Sequence, residues 1–339
     1  MRWKHKPEGS NWGEFGVDDQ IGRMNLVTPQ RRLAAVREVT EGIAFSLSLP
    51  LDYPGGANLV PSRRAPRIEA TRRATGELCY NFCFSCQNRS LFDVTSDDAV
   101  TIWTQYSTQW DALSHWGQEF DADGDGVAEV VYYNGWRGGE HVLGADQAGG
   151  PCARKLGMES LAETGVQGRA VLVNLADAYG EQPVHVGYDA LMRVLERQKT
   201  SVQAGDFLCL YTGWADLALA MNKQPDFDKL RNACAVLDGK DRALLNWITD
   251  CGLVAICADN LGVEALVSAA MAGGGEKHSM MPLHEHCIFK LGIFLGEMWY
   301  FGELGPWLRK HGRSRFLLTA PPLRLPGLVG SPPMPVGTV

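Results

Sequence analysis

The chain has 339 residues, 32 Lys and Arg against 39 Asp and Glu, a formal net charge of -7 and 45% hydrophobic residues, a profile that can bury a sizeable core. With no Lys/Arg run longer than a pair, a phosphate-tracking surface is excluded and nucleic acid is not an expected partner. No stretch approaches the roughly 20 apolar residues of a membrane span, and the opening MRWKHKPEGSNWGE lacks the apolar region of a secretory signal, so no membrane partner and a cytoplasmic location are expected.

Residues 1–27 read as irregular. Thr28 followed by Pro29 is a cap and first-turn signature, and Leu33, Ala34, Val36 and Val39 recur at helical spacing until Gly42, which predicts a helix over 29–40. From Phe45 to Phe92 the chain reads as strand and loop, its most irregular part, with a basic stretch at Arg63, Arg64 and Arg67. The nine cysteines read as reduced core residues, and Cys79, Cys83 and Cys86 as strand cysteines, because no second pair completes a zinc knuckle. Asp121, Asp123, Asp125 and Gly126 imitate a calcium loop, but Tyr132 stands at the twelfth position where a bidentate Glu is required, so a hairpin turn is expected. Short apolar runs then alternate with helical patterns. Strands are expected at 170–175, 207–212 and 253–258, with helices at 188–199 and 240–251, the latter ended by Gly252. This alternation predicts an α/β fold, a mixed sheet with crossover helices in a single domain spanning 1–339. The last 20 residues are proline-rich and are expected to run extended over the surface.

There is no G-x-S-x-G elbow, P-loop, dinucleotide glycine fingerprint or H-E-x-x-H. The informative segment is 105–115, where Gln105, Gln109, Asp111 and His115 share parity and, in an extended chain, one face. Tryptophans surround it. Downstream, His284, Glu285 and His286 open a predicted helix that stops near Gly292, and 293–301 reads as a strand carrying Glu297. An Asp, a His and a Glu converging from separate elements can bind a divalent metal, and a nearby His can move a proton.

On these residues the sequence resembles the cyclase family of metal-dependent hydrolases, which includes bacterial kynurenine formamidase, isatin hydrolase and trans-dienelactone hydrolase. The segments WGEFGVDDQIGRMNLVTPQ, GVQGRAVLVNLA, AGDFLCLYTGW, AICADN and TAPPLRLPGLVGSPPMPV carry the resemblance over nearly the whole chain. The family motif H-x-G-T-H-x-D-x-P-x-H aligns with Gln105, Ser107, Thr108, Gln109, Asp111, Leu113 and His115, so glutamine replaces both histidines. The form Q-x-x-x-Q-x-D-x-x-x-H points to the trans-dienelactone hydrolase branch. The resemblance implies a swivelling β/β/α fold, a metal held by Asp111, His284 and Glu297, and His115 as the base. His286 is the rival ligand to His284. A glutamine carbonyl is a weak neutral ligand, so one ion is expected, zinc first and manganese second, with Gln105 and Gln109 as supplementary ligands or orienting groups. Trp110, Trp116 and Trp136 are candidates to wall a planar small-molecule substrate, each fitting a core position equally well. The expected reaction is opening of a small unsaturated lactone, with a formamide or cyclic amide as the alternative and a metal-free binding protein as the reading from another class. Self-association into a homo-oligomer is expected.

Overall fold

A computed structural model describes residues 2–57, 59–265 and 277–339. Nine strands form the central mixed sheet: β1 (Ala44–Ser46), β2 (Gln109–Asp111), β3 (Gln167–Asn174), β4 (Phe207–Tyr211), β5 (Ala255–Ala258), β6 (Phe294–Glu297), β7 (Arg315–Thr319), β8 (Gly330–Ser331) and β9 (Val336–Thr338). They lie in the order β1-β9-β7-β3-β4-β5-β6-β2-β8. The central four, β3 to β6, are parallel. Their sequences are near-continuous apolar runs because both faces are covered, as the burial of Val171, Leu208, Ile256 and Leu295 shows. The flanking pairs are antiparallel.

Parallel neighbours need long crossovers, which helices supply. Besides α1 (Pro29–Val36), these include α2 (Tyr188–Arg197) between β3 and β4, and α3 (Arg242–Cys251) between β4 and β5. Asp241 starts α3 by accepting from the backbone N–H of Ala243 at 2.9 Å and Leu244 at 3.4 Å. It also accepts from the N–H of Tyr188 at the start of α2, at 2.7 Å. A Cβ on Gly187 would lie 2.3 Å from the same carboxylate, so glycine is required beside this shared cap. Gly252 ends α3 with φ 71°, the left-handed conformation expected of it.

Several expectations are corrected. α1 stops at Val36, and Leu33 and Val36 are exposed whereas Ala35 is buried. The helix packs on β3, and its one buried residue has a small side chain that permits close approach. The proline-rich end does not stay on the surface. Residues 330–335 are mostly buried, and β9, which follows the last proline and so keeps its N–H groups, is inserted between β1 and β7. All nine cysteines are free, but Cys83 and Cys86 are exposed rather than core, and only Cys83 of the three lies in a strand. The aspartates at 121–125 sit in a hairpin turn between strands Gln118–Phe120 and Glu129–Val131, as expected. Asp121 there accepts from the N–H groups of Gly124, Asp125 and Gly126. Asp123 and Glu129 face Arg137.

Residues 67–101 form an arm outside the sheet. Strand Arg67–Ala70 pairs with Asp98–Thr101, and Phe82–Cys83 with Val94–Thr95. Within the arm only Cys79 and Phe82 are buried. No described helix is long and apolar enough to cross a membrane.

Candidate metal centre

Strands β2 and β6 build the site. Their antiparallel register sets Gln109 opposite Glu297 and Asp111 opposite Leu295. The two-residue period turns Gln109 and Asp111 to one face and Trp110 to the other. Accordingly Gln109 Nε2 donates to Glu297 Oε2 at 2.8 Å. Trp110 is fully buried, packs edge-on against Trp299 and donates to the carbonyl of Ala320, so it is core and not a substrate wall. Trp136 is also core; its indole donates to the carbonyl of Asp19, and the Arg2 guanidinium covers its ring. Trp116 alone of the three adjoins the site, with its ring 5.2 Å from that of His284.

The shared face predicted for Gln105, Gln109, Asp111 and His115 forms differently. Only 109–111 is extended, and turns on either side fold Gln105 and His115 back toward Asp111. Gln105 Nε2 donates to Asp111 Oδ1 at 2.6 Å and lies 3.1 Å from Nδ1 and 3.3 Å from Nε2 of His115. His115 Nε2 is 3.9 Å from Asp111 Oδ1. Gly330 closes this corner, since a Cβ there would meet the Gln105 side chain at 2.6 Å. Arg63 reaches the same corner by donating to the carbonyl of Gln105 at 2.8 Å, whereas Arg64 and Arg67 are exposed.

His284 enters from a single α-turn, Pro282–His284, that widens into a π-helical stretch over Glu285–Lys290. Such widened turns recur at functional sites. Its Nε2 lies 3.4 Å from Glu297 Oε1. The rival His286 points elsewhere, with Nε2 2.9 Å from Thr249 Oγ1, and burial pushes its pKa down to about 4. The strand carrying Glu297 is shorter than expected. Met298 adopts φ 52° and turns the chain immediately after the carboxylate.

Sequence reasoning missed Glu264. This carboxylate is 2% exposed and accepts from the backbone N–H groups of Leu283 and His284, at 3.1 and 2.8 Å. Its Oε1 is also 3.0 Å from His284 Nδ1. It follows Val263, a β-branched residue at φ 59°. Its space depends on Gly239, where a Cβ would fall 2.1 Å from Oε2. The available signal was one acidic residue inside the apolar run LGVEALV.

Burial sets the charges. It raises the Asp111 pKa, against the pull of His115. It lowers that of His115, which outweighs the neighbouring Asp111 and favours the neutral ring. At His284 burial disfavours the cation, but the hydrogen bonds to Glu264 and Glu297 prevail and push its pKa up to about 10. Burial would raise Glu297 too, yet His284 holds it below the usual carboxylate range.

Ligand atoms of Asp111, His284 and Glu297 all lie within 4.8 Å of one another. Asp111 Oδ2 and Gln109 Oε1 are buried there with no hydrogen-bond partner. Leaving a buried acceptor unpaired costs about 1–3 kcal/mol, so two on the same face of one strand fit a cation. Two carboxylates, one imidazole and an amide oxygen suit zinc or manganese. Glu264 on Nδ1 leaves Nε2 of His284 as the ligand atom, the arrangement of a carboxylate–histidine–metal relay.

The family model described as "Putative cyclase" matches residues 45–265. The chain belongs to the cyclase family. This cyclase-family chain superposes on a crystal structure of a novel cyclase with a TM-score of 0.77 and 29% identity, covering 97% of this chain and 99% of that one. An isatin hydrolase bound to the product analogue thioisatinate matches at 14% identity and TM-score 0.54, over 92% of this chain and 99% of that one. Isatin hydrolase A from Ralstonia solanacearum matches at 13% identity and TM-score 0.54, over 91% and 97%. These two likenesses are likenesses of fold. No curated protein matches the chain.

Proposed function

We propose that this cyclase-family chain is a hydrolase using one divalent metal ion, zinc or manganese, to open a small unsaturated lactone. The observation that carries the reading is the convergence of ligand atoms of Asp111, His284 and Glu297 within 4.8 Å of one another, with Asp111 Oδ2 buried and partnerless and His115 beside Asp111. Asp111, His284 and Glu297 would hold the ion, with Gln109 Oε1 as a further donor. When bound, it supplies Lewis acidity toward a carbonyl and makes nearby water more acidic.

The chain's own groups do the rest. His115 takes the proton of the attacking water and returns it to the ring oxygen as the lactone opens. Gln105 spans His115 and Asp111 and so holds the imidazole in place. Trp116 offers the apolar wall, and Arg63 is placed to meet a substrate carboxylate. Among the described residues no serine or cysteine hydrogen-bonds to His115, so direct hydrolysis without a burst phase is expected. The lactone is favoured over an amide because an alkoxide leaves with less protonation than an amine, and because of the Q-x-x-x-Q-x-D-x-x-x-H resemblance.

The test is a side-by-side assay at equal metal loading. Small unsaturated lactones should exceed N-formylkynurenine-like formamides in kcat/KM by at least about tenfold, or about 1.4 kcal/mol. Faster turnover of the formamide would assign the amide reading instead. Silence on both, with no ion retained, would leave a binding protein.

A further inference from the structure

We infer that the cavity between the end of β3, the end of α2 and the helix Leu304–Lys310 is a binding site for a small, multiply charged oxyanion, a phosphorylated or polycarboxylate molecule. The cavity measures about 640 Å³, within the range of small-molecule sites. Asn174, the last residue of β3, lines it and is 3% exposed. Its Oδ1 accepts from the backbone N–H of Asp177 at 2.9 Å, which fixes which end of the amide carries the NH2. That Nδ2 donates to none of the described residues. Gln198, on the same wall, is held in the same way: its Oε1 accepts from the backbone N–H of Asn174 at 3.2 Å, and its Nε2 has no acceptor among the described residues. A buried donor left unpaired, as at Asn174, costs free energy that a bound oxygen recovers.

Charge on the same lining selects the ligand. Arg197 and Lys199 stand on the wall beside Gln198, and neither side chain has an ion pair or hydrogen bond among the described residues. Arg309 pairs with Asp177, the one carboxylate of the lining, at 2.6 Å. Arg313 donates to Thr40 Oγ1 at 3.0 Å and to the carbonyl of Glu38. Basic side chains near helix C-termini often serve the last carbonyls. Here the backbone N–H groups of 198–200 and of 311–313 already pair with carbonyls in the last turns of the two helices, so the cations are not needed for that. The wall therefore presents amide, ammonium and guanidinium donors against a single paired carboxylate, the chemistry that recognises phosphate and carboxylate groups. The cavity shares no residue with the proposed metal ligands. In the sheet β3 lies three strands from β6, about 14 Å away at ~4.8 Å per strand, so the anion held here is not the substrate of the metal centre.

Calorimetric titration of the whole metal-loaded protein at low salt tests this, with inorganic phosphate and tricarballylate as the two probes. At least one should bind at one equivalent per chain with a Kd below about 1 mM, and the tighter of the two identifies the phosphorylated or the carboxylate source. Asn174→Asp keeps the acceptor for the N–H of Asp177 while turning the NH2 into an oxygen, and should weaken binding by about tenfold or more with an unchanged circular dichroism spectrum. R197E/K199E should weaken it at least as much. R64E/R67E makes the same change of charge on exposed residues elsewhere and should leave binding unaltered, as should Asp111→Ala at the metal centre. No saturation by either probe at about 10 mM, equal weakening by R64E/R67E, or binding lost in Asp111→Ala and kept in R197E/K199E would overturn the inference.

Discussion

His284 stands between two carboxylates, Glu264 on Nδ1 and Glu297 near Nε2, and the three have different tasks. Glu264 touches no other member of the proposed ligand set, so it is a positioning residue. Glu264→Gln should keep the fold and weaken metal affinity by about 10- to 100-fold, read by competition with a chelating dye. Asp111→Ala should lose both ion and activity. His115→Ala should retain the ion and lose about 10² to 10⁴ in rate. An ion-free His115→Ala protein would make His115 a ligand, and undiminished turnover would remove it from the mechanism. Asp111, His284 and Glu297 were legible as candidate ligands through the resemblance to the cyclase family, and their ligand atoms lie within 4.8 Å of one another. Glu264 was not, since its role depends on a tight turn at Val263 and a gap left by Gly239, and neither leaves a periodic trace. Trp110 and Trp136 could not be told from substrate walls, because an indole that donates to a buried carbonyl looks the same in sequence as one that faces a ligand.

At the level of single elements, the parallel strands were legible from unbroken apolar runs, and α3 from its helical pattern and Gly252 at its end. The start of α2 at Tyr188 was legible too, although the cap that fixes it is borrowed from Asp241, 53 residues away. That sharing makes Asp241 worth more than an ordinary cap. Asp241→Ala leaves the first turns of two packed helices with unpaired N–H groups, so a loss of about 2 kcal/mol is expected, the upper end for a single cap. Urea denaturation of the variant measures it, and a loss within about 0.5 kcal/mol of zero would show that water replaces the carboxylate at both helices.

Across the whole molecule, stability should depend on pH through a group the site does not use. Asp259 is fully buried at the end of β5, where it faces Thr212 and the N–H of Gly213. Burial pushes its pKa up to about 7, against those hydrogen bonds. A carboxyl whose folded pKa exceeds its unfolded value near 3.8 favours the folded state most at low pH, and that contribution fades as pH rises from about 4 to about 7. The difference in unfolding free energy between wild type and Asp259→Asn should therefore shift against the wild type by up to about 1.4 kcal/mol per pH unit across that window. A difference that stays flat would mean that Asp259 is ionised throughout.

The insertion of β9 between β1 and β7 has a consequence for how the chain is made. Residues 44–46 leave the ribosome early, yet the strand they pair with is residues 336–338, so β1 waits through the synthesis of nearly 300 residues for its ladder. Until then β7 also shows an open edge, and the half-made sheet is a surface to which another nascent chain can add. Premature termination between residues 298 and 335 would thus release a protein with its metal ligands already made and its sheet unfinished, a product suited to aggregation rather than to partial activity.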